Sequence, residues 1–202
     1  MSDSFKFLMQ QQIMPATIRK SKSREAVALD KVVIALQSEL GWMALSSSGG
    51  MLERLTIGHP SERAALEDLA SWQHGAAAGM VRDEPDRATA LLIARLKAYA
   101  AGADDDFRDV KIDESGRTAF QRRVISATRR IPRGRTLSYS QLAARSGAPG
   151  AARAAGTVMA KNCFPLVVPC HRVVGSAGLG GYSARHGLSL KRWLLELEGV
   201  TF

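Results

Sequence analysis

Cysteine is nearly absent: Cys163 and Cys170 are the whole supply in 202 residues. Two thiols cannot build a disulfide framework, and no Cys-x-x-Cys pair offers zinc-site spacing. A cytoplasmic, reducing setting is expected, with free thiols, no structural metal and no cofactor. No apolar run approaches the ~20 residues of a membrane span. The N-terminus also has no signal-peptide apolar stretch, so no membrane partner is expected. Acidic residues are scarce in one half only. Residues 107–202 carry 5 Asp+Glu against 16 Lys+Arg, whereas residues 1–106 carry 14 against 12. The net charge of +9 therefore lies wholly in the second half. Such a concentration favours a polyanionic partner through counterion release; the alternative is a basic surface without a specific ligand.

Residues 1–24 are polar and rich in Ser, Gln and Lys, and are expected to form a flexible tail. Lys31 to Ile57 is expected to form strands, because Val32-Val33-Ile34 is β-branched and Ser48-Gly49-Gly50 separates two alternating runs like a hairpin turn. Ser61 can cap a helix running through Ala64, Leu66 and Leu69 to about Trp72. Pro85-Asp86 opens a second, with Leu91, Leu92, Leu96 and Tyr99 at helical spacing to near Gly102. Asp104-Asp105-Asp106 then reads as an acidic linker at the point where the charge shifts. The domain boundary is expected there, giving an α/β supporting domain over 25–106 and a mostly α domain over 107–202.

Thr118 to Arg130 places Phe120, Val124 and Ala127 on one helix face and arginines on the other, and Ile131-Pro132-Arg133-Gly134 stops it. Ser138 with Gln141 is a capping box that starts a helix through Leu142. Ser146-Gly147-Ala148-Pro149-Gly150 is a tight turn, followed by a helix from Ala151 to Lys161. This is the pattern of a helix-turn-helix, and equally of an ordinary helical hairpin. The second helix is thin: Ala151, Ala152, Ala154, Ala155 and Gly156 leave Arg153 projecting. A major-groove reader would carry Asn, Gln and Arg at several positions, whereas a small-residue helix can approach the sequence-blind minor groove.

Pro165 to Val173 reads Pro-Leu-Val-Val-Pro-Cys-His-Arg-Val. Leu166-Val167-Val168 fits a buried strand that Pro169 ends. Cys170 would then sit where a strand leaves the core, with His171 and Arg172 as an electropositive neighbourhood favouring a thiolate. Adjacent strand residues face opposite ways, so His171 can serve Cys170 only if the chain turns there. On composition alone the cysteine is equally readable as a buried small hydrophobe.

Pro169-Cys170-His171-Arg172-Val173 resembles the active-site signature of the O6-alkylguanine-DNA alkyltransferase family. The resemblance runs from about Arg117 to Gly199. It includes Ile131-Pro132-Arg133-Gly134, Ser138-Tyr139, Gly147-Ala148-Pro149, Ala151-Ala152-Arg153-Ala154, Asn162, Gly180-Gly181-Tyr182-Ser183 and Leu194-Leu195-Glu196-Leu197-Glu198-Gly199.

The resemblance implies a ribonuclease H-like α/β domain followed by a winged-helix-like domain containing the helix-turn-helix. It also implies a protein that acts as a monomer on double-stranded DNA, associated with the nucleoid. The implied reaction is transfer of an alkyl group from O6-alkylguanine, and from O4-alkylthymine, to Cys170. His171 would take the thiol proton through a water, and Glu198 would orient His171. Asn162 would brace the turn before the cysteine, and Arg172 would pair with an acidic residue. Arg153 would enter the duplex and fill the place of the flipped base, with Ala151, Ala152, Ala154 and Gly156 against the minor groove. Tyr139 would crowd the target phosphate and bond the base. Tyr182, the Ser183 amide and the carbonyls of Cys170 and Val173 would line the base pocket.

Two departures from the family pattern stand out: Cys163 where proline often follows the asparagine, and Ala184-Arg185-His186 where small residues often follow the serine. The first places a second thiol near the nucleophile; the second crowds the pocket for bulky adducts such as benzyl. Competing readings are a non-catalytic alkyltransferase-like damage-recognition protein, a helix-turn-helix regulator and a Cys-His-Glu hydrolase. Cys170 opposes the first of these and the Ala-rich helix the second. The missing nucleophile-elbow signature opposes the third.

Overall fold

The computed structural model describes residues 31–71, 84–182 and 187–201. The expected tail, the helix end at Trp72, and Ser183, Ala184, Arg185 and His186 lie outside them. Strands β1 (Lys31–Ser38), β2 (Gly41–Ser48) and β3 (Met51–His59) form an antiparallel meander. Ser48 pairs with Met51, so Gly49-Gly50 is a two-residue turn, and both glycines have positive φ. That mirror-image turn matches strand twist, and only glycine adopts it without strain. The first turn, at Glu39-Leu40, carries no such dipeptide. It is made by Ser38, whose hydroxyl accepts from the Leu40 amide and donates to the Gly41 carbonyl.

Helix α1 (Glu62–Ser71) begins at Ser61, whose hydroxyl accepts from the Ala64 amide. It covers the sheet face bearing Ala44, through Ala65 and Leu69. Alternation sends Met43 and Leu45 to the opposite face. There they meet α2 (Arg87–Ala100), which is capped by Asp86 and contributes Leu92, Leu96 and Tyr99. The same core continues through Val124, Leu142, Met159, Val168 and Leu194, so one apolar cluster joins residues on both sides of Asp104–Asp106. That acidic segment is tied down rather than loose: Arg95 makes paired hydrogen bonds to Asp105 and Asp109.

In the second half, α3 (Ala119–Arg129) and α4 (Tyr139–Arg145) each start with a capping box, Thr118 with Gln121 and Ser138 with Gln141. Helix α5 (Ala152–Ala160) follows the glycine-containing turn, with Ala151 as its first flanking residue. Strand β4 (Leu137–Ser138) pairs in parallel with β5 (Val173–Val174), and α6 (Gly187–Leu197) closes the chain.

The expected strand at Leu166-Val167-Val168 is not formed. These residues are buried but lie in successive turns, with Leu166 at φ +70. Their backbone groups bond locally: Val168 N donates to Phe164 O at 2.7 Å, and Cys170 N to Val168 O at 2.7 Å. Proline at 165 and 169 brackets the segment, and Asn162 captures the Val168 carbonyl, so no ladder can form.

Candidate active site

Cys170 opens a 3-10 turn, Cys170–Arg172, directly after Pro169. The turn fans successive side chains apart, and each finds a different partner. Cys170 accepts a hydrogen bond from Asn162 Nδ2 at 3.1 Å. The same amide donates to Val168 O at 2.8 Å, and Asn162 Oδ1 accepts from Phe164 N. Asn162 thus braces the turn and touches the sulfur. His171 is fully buried, with Nε2 2.9 Å from Glu198 Oε1. Arg172 does not face the thiol. Its guanidinium grips Glu198 at 2.8–3.1 Å and donates to Ile131 O at 2.7 Å.

Electrostatics follow from this placement. Burial pushes the Cys170 thiol up, and the Asn162 contact and the Lys191 charge oppose that shift. The expected thiolate-favouring Arg172 is replaced by Lys191, because Arg172 is spent on Glu198. Burial raises the Glu198 carboxyl, but hydrogen bonds from His171 and Arg172 outweigh it and hold the group well below the usual carboxylate range. Burial lowers His171, against the pull of Glu198. The resting pair is therefore a neutral thiol and a neutral imidazole. An ionised carboxylate only accepts, so Nε2 carries the imidazole proton and Nδ1 presents a lone pair. Among the described residues Nδ1 makes no hydrogen bond to any protein atom, the thiol included.

Lys191 carries no signal in the family-like motifs, yet it is fully buried on α6. Its ammonium donates to the carbonyls of Val173 and Leu179 at 2.6 Å and of Gly181 at 3.2 Å. The Val173 carbonyl expected to meet a base is thus already engaged by this lysine. Burial pushes Lys191 down to about 8. Its position, three and four residues before Leu194 and Leu195, puts a charge on the helix's buried stripe; that misplacement was legible in the sequence. Replacing Lys191 with methionine strands three carbonyls. A loss of about 2 kcal/mol or more is expected, together with at least a tenfold slower reaction of Cys170, measured by urea unfolding and by thiol modification.

The thiol opens into a cavity of about 320 Å³. Tyr139, Gly156, Met159, Ala160, Gly181 and Tyr182 line it. Gly180 sits at φ +68, where a side chain would meet Gly175 N at 2.9 Å and the Tyr139 ring at 3.2 Å. Glycine is required for that loop to close on Tyr139. The Tyr139 hydroxyl donates to Gly181 O at 3.4 Å. Outside the cavity an open groove follows α5, lined by Ala152, Arg153, Gly156, Thr157 and Ala160, again with Tyr139. Arg153 and Ala154 are exposed and Ala151 half-buried, and neither Ala151 nor Ala154 is among the groove-lining residues. Cavity and groove therefore share Tyr139, Gly156 and Ala160. Among the described residues no group of three or more His, Cys, Asp and Glu could hold a metal ion.

Cys163, the second thiol, accepts from Arg117 Nη2 at 2.9 Å and does not line the cavity.

A sequence profile described as 6-O-methylguanine DNA methyltransferase, DNA binding domain, matches residues 119–200. The methylated-DNA–protein-cysteine methyltransferase of Methanothermobacter thermautotrophicus is 44% identical over 118 residues, 58% of this chain and 65% of that protein. The protein of the same name from Mycolicibacterium paratuberculosis is 47% identical over 116 residues, 57% of this chain and 68% of its own length. The matched stretch thus spans about two thirds of these curated relatives. The crystal structure of Mycobacterium tuberculosis OGT in complex with DNA superposes with a TM-score of 0.63 at 33% identity, covering 83% of this chain and 92% of that one.

Proposed function

This chain belongs to the methylated-DNA–protein-cysteine methyltransferase family, and we propose on that footing that it repairs DNA by direct reversal. It takes an alkyl group from O6-alkylguanine, or O4-alkylthymine, in a duplex and keeps it on Cys170. The observation that carries this reading is a thiol opening into a base-sized cavity, with a His171–Glu198 pair behind it.

Within this reading Cys170 is the nucleophile. Its thiol proton passes to His171 Nδ1 through an intervening water, since the two make no direct hydrogen bond. Glu198 holds the imidazole so that Nδ1 faces the reaction and stabilises the imidazolium. The thiolate attacks the alkyl carbon, a C–S bond forms, and the C–O6 bond breaks with its electron pair on the base. The guanine takes up one proton overall, matching the one the thiol loses. A thioether does not hydrolyse, so each molecule acts once.

The target carbon is out of reach in stacked DNA, so the base must be flipped. The α5 groove receives the minor groove, Arg153 fills the vacated place, and Tyr139, at the junction of groove and cavity, steers the base inward. Tyr182 and Ser183 complete the pocket. Arg153→Ala should slow transfer from duplex about a hundredfold while slowing reaction with free O6-methylguanine less than threefold. Equal slowing of both substrates would remove Arg153 from the flipping step.

The finer assignments belong to the same reading: a ribonuclease H-like unit over 25–106, a winged-helix-like unit over 107–202, and a monomer working in the cytoplasm at the nucleoid. The antiparallel β1–β3 meander and the α4–α5 pair beside β4–β5 support the two fold assignments. Intact mass and peptide mapping after mixing with an O6-methylguanine duplex test the function. One methyl on Cys170, saturating at one per protein, is expected. Tight duplex binding without methylation would instead mark a damage-recognition protein.

A further inference from the structure

We propose that Tyr99, near the end of α2, is a positioning residue of the Cys170–His171–Glu198 relay, its hydroxyl holding Glu198 and drawing part of the carboxylate's charge away from His171. The proposal rests on the reading of Cys170 as alkyl acceptor, and it brings in a helix from the first half of the chain, where the sequence carries no catalytic signal.

Glu198 Oε1 is shared by the Tyr99 hydroxyl, His171 Nε2 and the Arg172 guanidinium. Oε2 faces Arg172 and, at 3.5 Å, the Gly134 amide. Donors on one carboxylate divide its charge, so each weakens the hold on the others. Tyr99 is fully buried, and burial with the Glu198 charge keeps its phenol protonated, so it donates.

Its ring is fixed from two sides. Phe107 packs at 5.5 Å between ring centroids, tilted by 58°, and the Arg133 guanidinium lies 5.3 Å from the ring centre. Arg133 also donates to the carbonyls of Gly102, Ala103 and Leu197, clamping the end of α2 to the end of α6. The hydroxyl therefore reaches the carboxylate along a rigid path. Ring packing alone would be satisfied by phenylalanine, so the oxygen needs another explanation.

Besides Tyr139, which faces Cys170 from α4, the charged and titratable groups facing the relay come from five segments. Arg172 lies on the same turn and Lys191 on α6. Tyr99 comes from α2, Arg133 faces it from the loop before β4, and Tyr182 stands across the cavity beside Cys170. Arg172 and Lys191 disfavour an imidazolium, and Glu198 favours it. Tyr99→Phe leaves both cations in place and returns carboxylate charge to His171.

Isotope-labelled histidine NMR of the full chain, wild type and Tyr99→Phe, is the test. The His171 titration midpoint should rise by about half to one pH unit in the variant. The acid limb of the methyl-transfer rate should move up by the same amount, since the neutral imidazole is the base. An unchanged or lowered midpoint with merely slower transfer would make Tyr99 a packing residue and overturn the proposal. If the variant does not fold, the wild-type protein decides. A slowly exchanging Tyr99 hydroxyl proton with a nuclear Overhauser contact to the His171 ring is expected, and its absence overturns the proposal. If wild-type Cys170 takes no methyl at all, the functional reading falls, while the titration still reads the effect of Tyr99 on Glu198.

Discussion

Replacement of Cys170 by serine is expected to abolish methyl transfer, by a thousandfold or more as an order of magnitude, while duplex affinity changes less than about twofold. The two halves of that expectation have separate causes. A hydroxyl is far harder to ionise than a thiol, and burial already pushes the Cys170 thiol up. Serine at this position would also present an oxygen that is a far weaker nucleophile toward an alkyl carbon than a thiolate sulfur. Affinity, by contrast, is proposed to reside on the exposed α5 groove and its arginine, whereas Cys170 is 8% exposed in the adjoining cavity. Intact mass after exposure to an O6-methylguanine duplex reads the first half, and fluorescence anisotropy with the same duplex reads the second. Loss of binding along with transfer would mean that Cys170 shapes the DNA surface, and the separation of groove from chemistry would be wrong.

Glu198→Gln should be the most damaging conservative change in the protein. The wild-type carboxylate is fully buried and satisfies Arg172, His171 and Tyr99 at once. An amide keeps the shape but removes the charge, leaving the Arg172 guanidinium buried without a counterion. Breaking one side of such a pair costs about 3–5 kcal/mol. The chemistry should suffer independently, because the amide can no longer stabilise an imidazolium; a loss of about 10²–10⁴ in transfer rate is the scale of general-base catalysis. Urea unfolding and single-turnover transfer measure the two effects.

A pH signature accompanies this. The folded Glu198 carboxyl lies below its ordinary value near 4.5, so the unfolded chain protonates first as pH falls. The stability contributed by Glu198 is full above about pH 4.5 and is lost as pH drops through the lower folded value. Wild-type stability should therefore decline steadily below pH 4.5, and Glu198→Gln should flatten that decline. An equally steep acid limb in the variant would assign the loss to other carboxylates, Asp105 and Asp109 first, since Arg95 holds both below their ordinary range.

Local pattern carried much of the molecule. Gly49-Gly50, Ser61, Asp86 and the Ser138–Gln141 box are short-range devices, satisfied within four residues of chain, so each element they start or join was readable. The fold brings Cys170, His171, Asn162 and Glu198, all named from the family-like motifs, to one place. Where the chain departs from its local pattern, a distant or competing partner decides. Leu166-Val167-Val168 has the composition of a strand, but two prolines and the Asn162 amide take its backbone partners. Arg172 sits beside the cysteine in sequence, yet Glu198, 26 residues on, draws its guanidinium away and leaves Lys191 to face the thiol.

The sequence by itself determined a basic second half, a thin helix with one projecting arginine, and a lone proline-flanked Cys-His pair. These are properties of composition and spacing, and no folding alters them. Only the tertiary structure decided which charges meet. The main core spans both halves, so α2 carries Tyr99 to a carboxylate 99 residues away, and α6 carries Lys191 under the glycine loop. Periodicity shows that a residue faces inward but not what it faces. The pairing of buried polar groups depends on how the elements stack, and desolvation makes those pairings obligatory once they are enclosed.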